Sequence, residues 1–164
     1  MAGKAAAAVG TSIFFAVAPG MVAGVIPWLI TRWETGDSLP DWPPVRALGA
    51  VLVAAGAVVI VNAFARFVLE GVGTPAPAAP TENLVVGGLY RYVRNPMYLA
   101  VDGAIVGQAL LLCRAELLIW AAVVTTANAA FVHFYEEPTL HRQFGESYDT
   151  YRATVNAWIP RRPA

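Results

Sequence analysis

The chain has 164 residues, 57% of them hydrophobic and only 13% charged, where soluble domains average about 45–50% apolar and about 25% charged. A globule of this length still exposes about a third of its unfolded surface, so a water-soluble fold would carry large greasy patches and lipid is the better solvent. With 11 Lys plus Arg balanced by 11 Asp plus Glu there is no basic surface for nucleic acid, and the lone Cys113, set in an apolar run, excludes a disulfide framework or a cysteine-based metal centre.

The first apolar segment runs over residues 5–30. Lys4 before an Ala-rich stretch resembles a secretory signal. The segment is longer than the roughly 7–15 residues of a signal core, and no small-residue cleavage site closes it, so it reads as a retained helix. Pro19 and Gly20 interrupt it and Pro27 lies near its end, kinks that a membrane tolerates when neighbours satisfy the freed carbonyls. A second segment, 45–69, carries Gly49, Ala50, Ala54, Ala55, Gly56 and Ala57, small residues that let another helix approach closely. The Pro/Ala stretch 74–80 is expected to be an extended, semi-rigid spacer.

A third segment, 97–113, and a fourth, 117–135, are separated only by Arg114, Ala115 and Glu116, which forces a tight antiparallel hairpin. Each of the four is near the ~20 residues a helix needs to cross the hydrocarbon layer. The expected fold is therefore all-α: one polytopic membrane domain over 1–164, about four transmembrane helices, with 5–69 supplying the first two. Within the third, Asp102 is an ionisable group at membrane depth and a functional candidate, or a partner for a boundary Arg. Gln108 and Asn128 suit interhelical hydrogen bonds.

Two polar stretches hold the candidate chemistry. The first runs Leu84-Val85-Val86-Gly87-Gly88-Leu89-Tyr90-Arg91-Tyr92-Val93-Arg94-Asn95-Pro96-Met97-Tyr98. Its glycines permit unusual backbone angles, and Pro96 can open a helix at its first position. Arg94, Asn95 and Tyr98 then gather near a helix N-terminus, where amides and dipole favour a carboxylate or phosphate; an interfacial Arg/Tyr anchor is the plainer alternative. The second is His133-Phe134-Tyr135-Glu136-Glu137-Pro138. Paired acids at a helix end sit against the dipole, so a cation, Arg91, Arg94 or a ligand, should face them. His133 with Glu136 and Glu137 matches a metal-ligand spacing, but no second His or Cys cluster accompanies it and no metal is expected. Beyond, Phe144, Tyr148, Tyr151 and Trp158, spaced by four, three and seven, would put their rings on one face of a helix lying at the membrane surface.

Basic residues set the orientation. With four crossings, Lys4, Arg66, Arg91, Arg94, Arg142, Arg152, Arg161 and Arg162 fall on one side and Arg32, Arg46 and Arg114 on the other, which places both termini and both polar stretches in the cytoplasm, at a cytoplasmic membrane.

The order Gly88-Leu89-Tyr90-Arg91-Tyr92-Val93-Arg94-Asn95-Pro96-Met97-Tyr98, Glu136-Glu137-Pro138-Thr139-Leu140, Phe144-Gly145, Tyr148-Asp149-Thr150-Tyr151 and Trp158-Ile159-Pro160 resembles the isoprenylcysteine carboxyl methyltransferase and phospholipid methyltransferase superfamily over residues 84–162. The resemblance implies a membrane methyltransferase that takes S-adenosylmethionine from the cytosol and methylates a lipophilic acceptor, an isoprenoid or lipid. It also implies that Arg94, Asn95, Pro96, Tyr98, Glu136 and Glu137 help enclose the cofactor. Asn95 stands where many relatives have His, and an amide is no proton acceptor near neutral pH. The inventory agrees with such a cofactor: Glu136 or Glu137 for its ammonium or ribose, Arg94 or helix amides for its carboxylate, and Tyr90, Tyr98 or Tyr148 for adenine, with Leu84, Val85 and Gly88 beside them. Arg94, Asn95 and Glu137 are the residues expected at the reaction itself. Two other classes are compatible with the same sequence: a nicotinamide-dependent membrane reductase of the sterol reductase kind, and a non-catalytic lipid-binding scaffold.

Overall fold

The computed structural model describes residues 17–66 and 83–162. Lys4, the first part of the 5–30 segment and the 74–80 spacer lie outside them. The described residues are helical, with no strand: α1 Val17–Thr31, α2 Pro43–Arg66, a 3₁₀ turn Gly88–Arg91, α3 Pro96–Leu112, α4 Glu116–Phe131, α5 Glu137–Phe144 and α6 Glu146–Thr154. They fall into two compact units, one drawn from 17–60 and 97–128 and the other from 61–96 and 129–162.

The α2 helix over Pro43–Ala63 is long and apolar enough to cross a membrane, as is the helix that runs from Glu116 through α4 and α5 to Phe144; α1 and α3 are shorter apolar helices. Fewer than a quarter of the residues in either long apolar stretch are buried within the chain. Val58 and Ile119, for example, are 68% and 70% exposed, the pattern of helices solvated by lipid rather than hidden in a water-soluble core.

The inner stripe of α2 is its small residues. A Cβ on Gly49 would lie 2.6 Å from the Gly107 carbonyl oxygen, and one on Gly107 would lie 2.7 Å from that of Gly49. One turn-pair on, a Cβ on Gly56 would meet the Ala100 carbonyl at 2.8 Å. The two backbones of α2 and α3 touch because neither carries a side chain there. Of the small residues expected to do this, Gly49 and Gly56 do, whereas Ala50, Ala54, Ala55 and Ala57 face outward.

Cys113, Arg114 and Ala115 link α3 to α4, as a tight hairpin demands, and Cys113 turns the chain in the left-handed region at φ 54°. Within the pair, the Thr125 hydroxyl hydrogen-bonds Asp102, whose Oδ1 is buried with no hydrogen-bond partner among the described residues. Gln108 does make an interhelical bond, its Nε2 donating to the Ala23 carbonyl at 2.7 Å.

The first helix is distorted at Met21–Val25, a π turn in which the Ile26 amide donates to the Met21 carbonyl. Pro27, not Pro19, is the cause: it lacks the N–H that Val22 or Ala23 would otherwise receive. Both orphaned carbonyls are met from other helices, Ala23 by Gln108 and Val22 by Trp120 Nε1 at 2.9 Å. Pro138 repeats the device. Between α4 and α5 a π turn covers Val132–Glu136, with the Glu137 amide reaching back to the Val132 carbonyl. The fourth apolar segment therefore does not stop near residue 135 but continues as one helix to Phe144.

Candidate functional site

The site lies within the second unit, where the chain on either side of Tyr90–Asn95 meets α5, α6 and the segment after them. Gly88, at φ 57°, opens the 3₁₀ turn in a conformation that glycine adopts without strain. Tyr90 and Val93 point inward and are buried, as is Val85 ahead of the turn, while Leu84 is half-buried. The turn is pinned from α6: the Tyr151 hydroxyl donates to the Tyr90 carbonyl at 2.7 Å.

The last residues pair with this segment along its length. The Arg94 amide donates to the Asn156 carbonyl at 2.9 Å, and the Arg161 amide donates to the Tyr92 carbonyl at 2.8 Å. The Asn95 side chain, itself buried, donates through Nδ2 to the Ala157 carbonyl at 3.1 Å. Pro96 then starts α3 as expected.

At the centre is an ion pair. Arg94 Nη2 lies 2.9 Å from Glu137 Oε1, with the two side chains only 12% and 14% exposed. The second carboxylate oxygen, Oε2, faces Arg152 Nη2 at 3.6 Å. Arg94 Nη1 donates to the Tyr148 hydroxyl at 3.2 Å, and Tyr148 is 2% exposed. Arg94 Nε is buried with no hydrogen-bond partner among the described residues. The cation required opposite the paired glutamates is thus Arg94, while Arg91 is exposed. Two arginines and Glu137 leave a net positive charge beside Glu136, which is half-buried at the end of the π turn.

Burial holds the phenols neutral. Desolvation pushes the Tyr90 hydroxyl well above its ordinary value, with the Glu136 charge adding to the effect. Tyr148 and Tyr151 are likewise raised by burial, the Arg94 charge offsetting part of the shift in both.

One expectation changes. Phe144, Tyr148, Tyr151 and Trp158 do not share one helical face at a membrane surface: Gly145, at φ 52° and ψ −126°, ends α5 and starts α6, and Trp158 lies beyond Thr154. Tyr148 and Tyr151 are turned onto Arg94 and the Tyr90 backbone instead. His133 is exposed and edge-on to Phe134, while Glu137 faces Arg94. Tyr98 lies on the first turn of α3.

Arg152 was not anticipated, nor were the bonds by which Tyr151 and residues 155–161 hold the backbone of the first polar stretch, although Tyr151 and Trp158-Ile159-Pro160 are among the motif residues. The signal for Arg152 was present in its i, i+4 spacing from Tyr148, which puts both on one side of α6. Nothing in the composition of residues 155–161 announces backbone pairing with residues 92–95.

No curated protein and no solved structure gives a match to this chain. A family profile does: phospholipid methyltransferase, over residues 45–147. The match begins in α2, well ahead of the 84–162 stretch that carries the motifs, and takes in Arg94, Glu136 and Glu137. Because it spans more than half of the 164 residues, the chain belongs to the phospholipid methyltransferase family.

Proposed function

We propose that the protein transfers a methyl group from S-adenosylmethionine to a lipophilic acceptor, an isoprenoid or lipid, at the cytoplasmic face of the membrane. The observation that carries this reading is the buried Arg94–Glu137 pair, backed by Arg152 and Tyr148, with Arg94 Nε left without a partner among the described residues.

The residues present suit that cofactor. Its carboxylate needs donors and positive charge, which Arg94 Nε and Arg152 offer; its ammonium or ribose needs an acid, which Glu136 and Glu137 offer; and the Tyr90 and Tyr148 rings supply aromatic surface. The cofactor brings a methyl group already activated on a sulfonium. The protein's part is alignment and exclusion of water, worth about 7–11 kcal/mol for well-placed reactants. Glu137 holds Arg94 in place, Tyr148 fixes the other edge of the guanidinium, and Asn95 ties the 155–161 strap across them. Asn95 is a positioning residue in this scheme, and no proton passes through it.

Calorimetry of the detergent-purified protein with S-adenosylhomocysteine and, separately, NADPH tests the proposal. Binding of the first alone is expected, weakened at least tenfold, about 1.4 kcal/mol, by Arg94→Ala and by Glu137→Gln. Preference for NADPH would favour a reductase, binding of neither a scaffold, and parental affinity in both variants would remove the site assignment.

A further inference from the structure

Residues 31–46 form a built platform at one end of α1, α2, α3 and α4. The turn after α1 places Arg32 and Trp33 consecutively in the left-handed region, at φ 53° and 57°. Thr31 holds it: its Oγ1 accepts the Trp33 amide at 3.1 Å and its carbonyl accepts the Glu34 amide at 2.9 Å. The following residues are fastened to the α3–α4 turn. The Gly36 amide donates to the Leu112 carbonyl at 2.8 Å, Arg114 Nε donates to the Glu34 carbonyl at 3.1 Å, and the Ala115 amide donates to Ser38 Oγ at 2.8 Å. A Cβ on Gly36 would collide with Arg114.

This cap and the last turns of α1 display three tryptophans. Trp28, Trp33 and Trp42 are 39%, 57% and 61% exposed. The cap's charges are of both signs, and apart from Glu34 and Asp37 they are met locally. Arg32 stacks on the Trp28 ring at 4.3 Å, Arg46 pairs with Asp41 at 3.2 Å, and Arg114 pairs with Glu116 at 3.6 Å. Immediately inside it, Leu29 and Ile30 on α1 and Leu48 and Val51 on α2 are exposed apolar residues. Toward this end of α1 and α2 the exposed aliphatic residues give way to a zone of interleaved indoles and charges, the composition of a bilayer's chain-to-headgroup boundary.

We propose that the Trp28–Trp33–Trp42 platform seats in the headgroup layer of a zwitterionic phospholipid leaflet and fixes the depth of the four helices whose ends it ties together. The inference rests on the reading of α2 and α4 as membrane-crossing. Arg32, Arg46 and Arg114 against Glu34, Asp37, Asp41 and Glu116 nearly cancel, so the platform has no strong field for a highly charged partner and suits a zwitterionic layer. The 17 residues of α3 span about 25 Å, close to the ~30 Å hydrocarbon thickness. With the platform in one headgroup layer, Pro96 at the far end of α3 reaches the other.

The test is tryptophan fluorescence in phosphatidylcholine vesicles brominated either near the carbonyl end or near the methyl end of the chains, with iodide as the aqueous quencher. Trp33 is read as the difference between the parent and Trp33→Phe, so that no tryptophan-free protein has to fold, and Val58→Trp reports the exposed apolar stretch of α2. Trp33 is expected to be quenched about twofold more by the shallow bromines than by the deep ones, as befits an interfacial ring, and Val58→Trp the reverse. If Trp33 answers only to iodide while Val58→Trp still answers to deep bromines, the platform assignment is wrong and the membrane reading stands. If neither answers to bromine, both are wrong. Shielding of Trp33 from all three quenchers that disappears on dilution of the protein would instead assign the surface to a second copy.

Discussion

Arg94 spends three of its contacts differently: Nη2 on Glu137, Nη1 on the Tyr148 hydroxyl, and its own backbone amide on the Asn156 carbonyl. A lysine keeps the charge but not the fork. Removing one acceptor from a nearly buried guanidinium costs about 1–3 kcal/mol, so Tyr148→Phe should lower the melting temperature in detergent and weaken S-adenosylhomocysteine binding together. The raised tyrosines give a pH prediction of definite sign. In the folded protein the hydroxyls of Tyr90, Tyr148 and Tyr151 stay neutral above their ordinary value, whereas in the unfolded chain they ionise near pH 10. Their contribution to stability is therefore intact below about pH 10 and is lost as pH climbs from there toward the raised folded values. Thermal melts between neutral and strongly alkaline pH should show that fall, reduced in Tyr151→Phe.

At the level of elements, the α2–α3 contact depends on what is missing from Gly49 and Gly107. Gly49→Leu must push the helices apart or displace a carbonyl, at an expected cost of about 1–3 kcal/mol. Ala50→Leu, on the exposed side of the same helix, should leave unfolding in mixed detergent unchanged. Hydropathy made the apolar helices and the Cys113–Ala115 hairpin readable, because both follow from how much polar backbone lipid tolerates. It did not reveal where α5 ends. Composition favoured one long C-terminal helix, but Gly145 and the demands of Arg94 on Tyr148 divide it, and tertiary contacts chose which tyrosines face inward. The Arg94–Glu137 pairing was legible as a charge problem, an acid pair lacking its cation. Arg152 and the 155–161 strap were not, since backbone-to-backbone pairing leaves little mark on side-chain identity.

For the whole molecule, the distribution of basic residues supports the cytoplasmic placement proposed for both termini. In a Cys113→Ser background, Arg161→Cys should react with a membrane-impermeant maleimide in inside-out vesicles and not in intact cells. Glu34→Cys, on the tryptophan platform, should show the opposite. Labelling of both from the same side would reverse the orientation argument and leave the cofactor site without access to a cytosolic methyl donor.

The proline-bearing π turn of α1 ties three distant positions into a single heritable unit. Pro27 opens the helix, and Gln108 and Trp120 close the opening from α3 and α4. A lineage that replaced Pro27 with alanine would regain one amide donor for the Val22 and Ala23 carbonyls yet displace Gln108 or Trp120 from the one it serves, exchanging one deficit for another. The local repair is therefore no repair until the other two positions change with it. Descendants of this chain should keep or lose the trio as a set, a signature recoverable from sequences alone.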